Sequence, residues 1–224
     1  MLGWEQTAWQ AGYQRVAGVD EAGGGPWAGP VVAAAVVFDR AWLADQGLAA
    51  LAGLTDSKQL SPRRRAYFYD CLATLPAVRW AVGAASVEEI DVLNILRATH
   101  LAMRRALAGL NPGPDYALVD GRPVPDLPVP AQAIVKGDAA SFSIAAASVM
   151  AKVTRDRLLE VLAGQYPLYG FARHRGYGTP QHQAALRQYG PCPAHRRSFA
   201  PVRACLEPPG APAPCAEACP DPIR

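Results

Sequence analysis

The segment GVDEAGGGPWAGPVV, residues 18–32, constrains the fold more than any other stretch of the chain. An apolar run that reads as a core strand over 15–20 ends in two adjacent carboxylates, Asp20 and Glu21. Three glycines and a proline follow, and a valine- and alanine-rich strand is expected over 29–38. A short glycine link between two strands points to an antiparallel hairpin with the acids at its turn. Neighbouring residues on a strand face opposite ways, so both acids reach one ligand only if the strand ends, bends or bulges there. Gly23, Gly24 and Gly25 permit such a bend.

Downstream, strands and helices alternate. Ser61-Pro62 opens a helix to about residue 75, with serine as cap and proline in the first turn. A strand is expected over 78–85. Ser86 and Glu89 form a capping box for a helix reaching about residue 110, where Asn111-Pro112-Gly113 stops it. Short buried strands are expected over 116–119 and 131–135, then a long alanine-rich helix over 139–165. Residues 166–197 are rich in glycine, aromatics and histidine, with one short helix near 181–188. This order indicates an α/β domain with a mixed sheet. The 224 residues, 50% hydrophobic and 18% charged, sustain a single large core. The expected organisation is an N-terminal extension (1–14), one catalytic domain with C-terminal substrate-binding loops (15–203), and a disordered Pro/Ala-rich tail (204–224).

Composition narrows the function classes. No apolar stretch is long enough to cross a bilayer, and residues 1–13 lack the pattern of a secretory signal. A cytoplasmic protein without a membrane partner is expected. The formal net charge of +3 permits a polyanionic partner without demanding one. The five cysteines are scattered, fit no zinc spacing, and suit a reducing compartment.

Asp20, Asp120 and Asp138 each follow a short apolar run, the last two beside a glycine. Strand ends are where sites gather in α/β sheets, so acids remote in sequence can converge there. A lone aspartate beside glycine is ordinarily a turn residue; the Asp20-Glu21 pair in an apolar context is harder to explain that way. Clustered carboxylates repel, and a divalent cation removes the conflict. All-oxygen ligands favour magnesium or manganese. Two such ions about 4 Å apart can clamp the attacking and leaving oxygens of a phosphodiester, so no nucleophilic side chain is needed.

The motifs themselves carry a resemblance. DEAGGGPWAGPV (20–31), TDSKQL (55–60), VDG (119–121), KGD (136–138), AAASVMAKVTRD (145–156), YGF (169–171), HRGYGT (174–179) and HRRSF (195–199) occur in this order. Together they resemble the type 2 ribonuclease H family, bacterial ribonuclease HII, over about residues 16–202. The resemblance implies a ribonuclease H-like fold: a central five-stranded mixed sheet flanked by helices, with a C-terminal helical and loop region. It implies a monomeric endoribonuclease using two divalent ions, Mg2+ or Mn2+. The implied substrates are an RNA–DNA hybrid and duplex DNA carrying one embedded ribonucleotide, cut to a 3′-hydroxyl and a 5′-phosphate. It assigns catalysis and metal binding to Asp20, Glu21, Asp120 and Asp138. The turn Gly23, Gly24 and Gly25 would meet the 2′-hydroxyl, Tyr177 the adjoining sugar, and Lys58 a phosphate.

Other basic residues divide by context. Arg63–Arg65 and Arg104–Arg105 read as solvated helix faces. Arg173, Arg175, Arg196 and Arg197 lie in loops and are candidates for the duplex backbone. Lys152 and Arg155 balance the acids or touch phosphate. Structural roles are expected for His174 and His195, because metal-assisted hydrolysis does not need them.

One departure stands out. The family pattern has arginine between the two turn glycines, where this chain has Gly24. The amide survives and a bidentate phosphate contact is lost, so a weaker enzyme is expected. The alternative is a hybrid-binding protein of low turnover, against which the retained acids argue. A nucleotide cradle is a third reading, but the Gly-Lys-Ser/Thr ending of a P-loop is missing.

Overall fold

A computed structural model describes residues 1–206. The expected disorder of the tail falls largely on 207–224, outside the described residues, as do Cys215 and Cys219. Five strands form one sheet: β1 (Val16–Ala22), β2 (Val31–Phe38), β3 (Val78–Ala85), β4 (Tyr116–Asp120) and β5 (Ala131–Ile134). Their order is β3-β2-β1-β4-β5. The expected hairpin is present, since β2 pairs antiparallel with both β1 and β3. β4 runs parallel to β1 and β5, which makes the sheet mixed.

Period-two alternation splits the core between the two faces of the sheet. Ala34, Val36 and Phe38 pack with Ala145, Ala146, Val149 and Met150 of the helix Phe142–Gln165. Ala33, Ala35 and Val37 pack with Ala98, Ala102, Met103 and Ala106 of the helix Ile95–Ala108. Every β2 residue is therefore buried. Gly18 lets the long helix close on β1; a Cβ there would collide with the backbone of Ser143 and Ile144. That contact sets the long helix directly beside Asp20, two residues on along the same face.

Two expected helices are each divided. The capping box of Ser86 and Glu89 is present, but its helix stops at Leu93. Asn94 adopts φ 69° and caps a second helix by accepting the Arg97 N–H. The alanine-rich helix is preceded by a separate turn, Gly137–Ala140, and Ser141 caps the main helix through the Ile144 N–H. The N-terminal segment carries a helix, Gly3–Gln10, unmarked by any strong sequence signal. Its Glu5 is buried and accepts from Ser141 Oγ at 2.6 Å and Ser143 N at 2.9 Å. Among the described residues no helix is long and apolar enough to cross a membrane.

Candidate active site

β1 stays regular through its acids: Asp20 pairs with Ala34, Glu21 with Ala33 and Ala22 with Val32. What ends is the other ladder, whose last β1–β4 pair is Val19 with Val119. The two acids thus project where β4 leaves β1, on opposite faces of an unbroken strand. Asp20 shares the face of Gly18 and is buried; Glu21 shares the face of Val19 and is half-buried.

Asp120 ends β4, and its Oδ1 accepts the Gly137 N–H at 2.7 Å. Lys136 takes a left-handed conformation, φ 57°, and starts the tight turn that carries Asp138. Asp20, Asp120 and Asp138 each bring a carboxylate oxygen within 4.8 Å of the other two. Glu21, on the other face of β1, lies outside that triad but beside it. It still senses the cluster: burial, then Asp120, raises its pKa. Burial, then Glu21 and Asp120, holds the Asp20 carboxyl well above the usual carboxylate range. Burial, followed by Asp120 and Asp56, also pushes Asp138 up. Three converging carboxylates, those of Asp20 and Asp138 buried and that of Asp120 half-buried, make a donor set that fits hard divalent ions.

Lys58 is the nearest basic group, with Nζ 4.0 Å from Asp138 Oδ2 and a largely exposed side chain. Burial works against its charge, but Asp56, Asp20, Asp138 and Asp120 prevail and raise its pKa. Its loop is held from beneath. Ser148 Oγ donates to Ser57 Oγ at 2.7 Å, and Arg65 donates to the carbonyls of Ser57 and Leu60. Arg65 is therefore a loop anchor and not a solvated face, which corrects the expectation for that residue.

The glycine turn sits beside Tyr177. A Cβ on Gly25 would lie 3.7 Å from the Tyr177 ring, and Gly25 and Tyr177 are both exposed. The segment after the turn is stitched to two distant ones: Trp27 N donates to Gly176 O, Gly29 N to Ala194 O, and Arg196 N to Trp27 O. Arg196 is fully buried and donates to the carbonyls of Gly23, Gly24 and Gly29, so it is closed to the duplex backbone, against expectation. Arg155 is buried likewise, on the carbonyls of Ala28, Pro30 and Arg175. Arg175 bonds Glu160 at 2.7 Å, whereas Arg173 and Arg197 remain exposed. Lys152 is paired with Asp156 at 2.8 Å.

The histidines form a closed network. The Tyr177 carbonyl accepts from His182 Nδ1 at 2.9 Å, so that nitrogen carries the proton. His182 Nε2 must then accept from His195 Nε2, 2.9 Å away, and His195 Nδ1 accepts the Cys192 N–H at 3.0 Å. His182 and His195 are both buried, and burial pushes each below the ordinary imidazole value, which agrees with a structural role for His195. Sequence motifs marked His174 and His195; the partnership with His182 and the roles of Ser57, Ser148, Arg155 and Arg196 had no local signal.

A cavity of about 680 Å³ lies at the opposite end of the sheet, near Arg15, Asp39, Arg40 and Arg79. Its lining includes none of Asp20, Glu21, Asp120 and Asp138.

Comparison with known proteins places the chain beside one family. The family model described as ribonuclease HII matches residues 17–202. The ribonuclease HII of Acidovorax sp. (strain JS42) is 58% identical over 194 residues, covering 87% of this chain and 89% of the relative. That of Burkholderia cenocepacia (strain HI2424) is 57% identical over 192 residues, 86% of each chain. Among solved structures, ribonuclease H2 from Pyrococcus horikoshii OT3 superposes with a TM-score of 0.69 at 30% identity, covering 85% of this chain and 96% of that one. A PCNA:RNase HII complex from Archaeoglobus fulgidus gives a TM-score of 0.67 at 27% identity, covering 81% and 93%.

Proposed function

The chain belongs to the ribonuclease HII family, divalent-metal-dependent ribonucleases of RNA–DNA hybrids, and from that premise we propose a more specific activity. It hydrolyses the RNA strand of hybrids and also incises duplex DNA on the 5′ side of a single embedded ribonucleotide. The products are a 3′-hydroxyl and a 5′-phosphate. The protein acts as a cytoplasmic monomer. The observation that carries this reading is the convergence of Asp20, Asp120 and Asp138 beside an exposed glycine turn and Tyr177.

Asp20, Glu21, Asp120 and Asp138 would hold two divalent ions, Mg2+ or Mn2+. Bound there, the ions supply a nucleophile at neutral pH and stabilise charge on the phosphodiester oxygens. The chain's own groups do the rest. Asp120, fixed by Gly137, and Asp138, on the same turn, keep the acidic set in one geometry. Lys58 faces the cluster from an exposed loop and meets a substrate phosphate. The amides of the turn Gly23–Gly25 meet the 2′-hydroxyl, the only group that marks a lone ribonucleotide. Tyr177 packs its ring against the adjoining sugar, and Arg175, held by Glu160 and the Asp156 carbonyl, is the candidate contact to the duplex backbone.

Mapping the cut tests the reading. A duplex with one ribonucleotide should yield a single nick at its 5′ side, with an upstream end that a DNA polymerase extends without phosphatase treatment. A nick on the 3′ side, or an end that polymerase cannot extend, would contradict it. Tight hybrid binding without any nick would favour a binding protein of low turnover.

A further inference from the structure

Arg196 occupies a position that catalysis alone does not explain. It is fully buried, and among the described residues no carboxylate lies within salt-bridge distance of it. An uncompensated guanidinium in the interior is costly unless its donors are used by groups that need them. Here the acceptors belong to one short stretch of backbone. Nη2 donates to Gly23 O at 2.7 Å, Nη1 to Gly24 O at 3.2 Å, and Nε to Gly29 O at 2.9 Å. Charge-assisted bonds of this kind are among the stronger ones available.

The consequence follows from peptide geometry. In a trans peptide the C=O of one residue and the N–H of the next point in opposite directions. The only cis bond among the described residues is Asn111-Pro112. With the Gly23 and Gly24 carbonyls turned inward onto Arg196, the N–H groups of Gly24 and Gly25 face the other way, toward solvent and the Tyr177 side. Neither amide has a backbone or side-chain acceptor among the described residues. Three consecutive glycines would otherwise sample many orientations, and a Cβ on Gly24 would meet nothing within 4 Å. Nothing above the turn restrains it; Arg196 does so from below.

We infer that Arg196 is a positioning residue that presets the Gly24 and Gly25 amides for the ribose 2′-hydroxyl. The inference rests on the proposed role of the turn. Arg155 performs the companion task for the second half of the loop. Its bonds to Ala28, Pro30 and Arg175 tie the loop to the segment that carries Tyr177. Donors fixed before the substrate arrives avoid reorganisation when it binds, which is where such a site gains selectivity.

The test uses Arg196→Lys and Arg196→Ala in the full chain. Lysine keeps the charge but lacks the planar fork that reaches three carbonyls. Backbone ¹⁵N relaxation at Gly24 and Gly25 and kinetics on two substrates are read together. The expected result for Arg196→Lys is a folded protein with lower order at both glycines. Its kcat on a single-ribonucleotide duplex falls on the order of 100-fold, with a smaller loss on a long hybrid that offers many sites. Millimolar guanidinium should recover part of the loss in Arg196→Ala but not in Arg196→Lys. If the alanine variant does not fold, the lysine variant and the relaxation data decide. Unchanged glycine order with equal losses on both substrates would overturn the inference, as would full activity of Arg196→Lys. A wild-type chain that fails to nick the single-ribonucleotide duplex would contradict the proposed function instead, and the relaxation measurement would still report on the turn.

Discussion

The Gly137 N–H donates to Asp120 Oδ1 at 2.7 Å, and this one bond joins the end of β4 to the turn that carries Asp138. Two acids eighteen residues apart are thereby held as a unit. On the proposed function Asp120 would have two separable jobs, a hydrogen bond that sets the turn and a charge that serves the site.

Replacing Asp120 with asparagine separates them. The amide oxygen can still accept from Gly137, while the charge is gone. Asp120→Asn and Asp120→Ala should both lose on the order of 1,000-fold in kcat, the scale of several kcal/mol of charge stabilisation. Steady-state cleavage of a hybrid checks this, with hybrid affinity as the control. Near-wild-type activity in Asp120→Asn would show that the hydrogen bond alone matters.

The acidic cluster opposes folding when no cation is present. The Asp20 pKa is raised in the folded chain, so its stabilising contribution is complete below the unfolded value of about 4 and is lost as pH rises through the folded value. Asp20→Asn should therefore raise Tm at pH 7 in chelator. Mn2+ at about 100 times its Kd should stabilise the wild type by about 2.7 kcal/mol, or roughly 5–10 °C, and the variant by much less. Differential scanning fluorimetry with and without Mn2+ reads both effects.

The histidine network predicts the opposite slope. Burial, then His182, holds His195 down at about 4, below its ordinary value of 6.5. Its contribution to stability is present above 6.5 and is lost as pH falls toward 4. His195→Gln keeps a donor toward His182 and does not titrate. Its Tm should be lower than wild type at pH 7 but should fall less between pH 6.5 and 4.5. Parallel Tm curves for the two proteins would remove His195 as the titrating group.

Gly24 offers a gain-of-function test. Its backbone is not left-handed and a Cβ there meets no atom within 4 Å, so Gly24→Arg should fold without strain. A restored charge-assisted phosphate contact of ~1.5–3 kcal/mol would raise kcat/KM about 10- to 150-fold. No change would mean that another basic residue, such as Lys58, already fills that role.

The acids were legible because each follows an apolar run and stands in a recognisable motif. The five strands were legible from alternation and turn residues. The break at Asn94 was not, because the apolar period runs on across it; only the capping preference of asparagine hints at a second start. Arg196 read as a surface residue because loop arginines ordinarily are. Its burial depends on Gly23, Gly24 and Gly29, more than 160 residues away. The pair Ser57 and Ser148 was hidden for the same reason, since small hydroxyl residues show no periodic signal and their partners lie on other elements.

On the proposed function, the cluster of Asp20, Asp120 and Asp138 carries divalent-metal-dependent hydrolysis at a ribonucleotide. Its most direct test is cleavage of a labelled DNA duplex carrying one ribonucleotide, in Mg2+, in Mn2+ and in chelator, beside an all-DNA duplex. The account predicts one nick at the ribonucleotide with either metal, none in chelator, and none in all-DNA. Cutting that persists in chelator, or no cutting in either metal while the duplex stays bound, would contradict it.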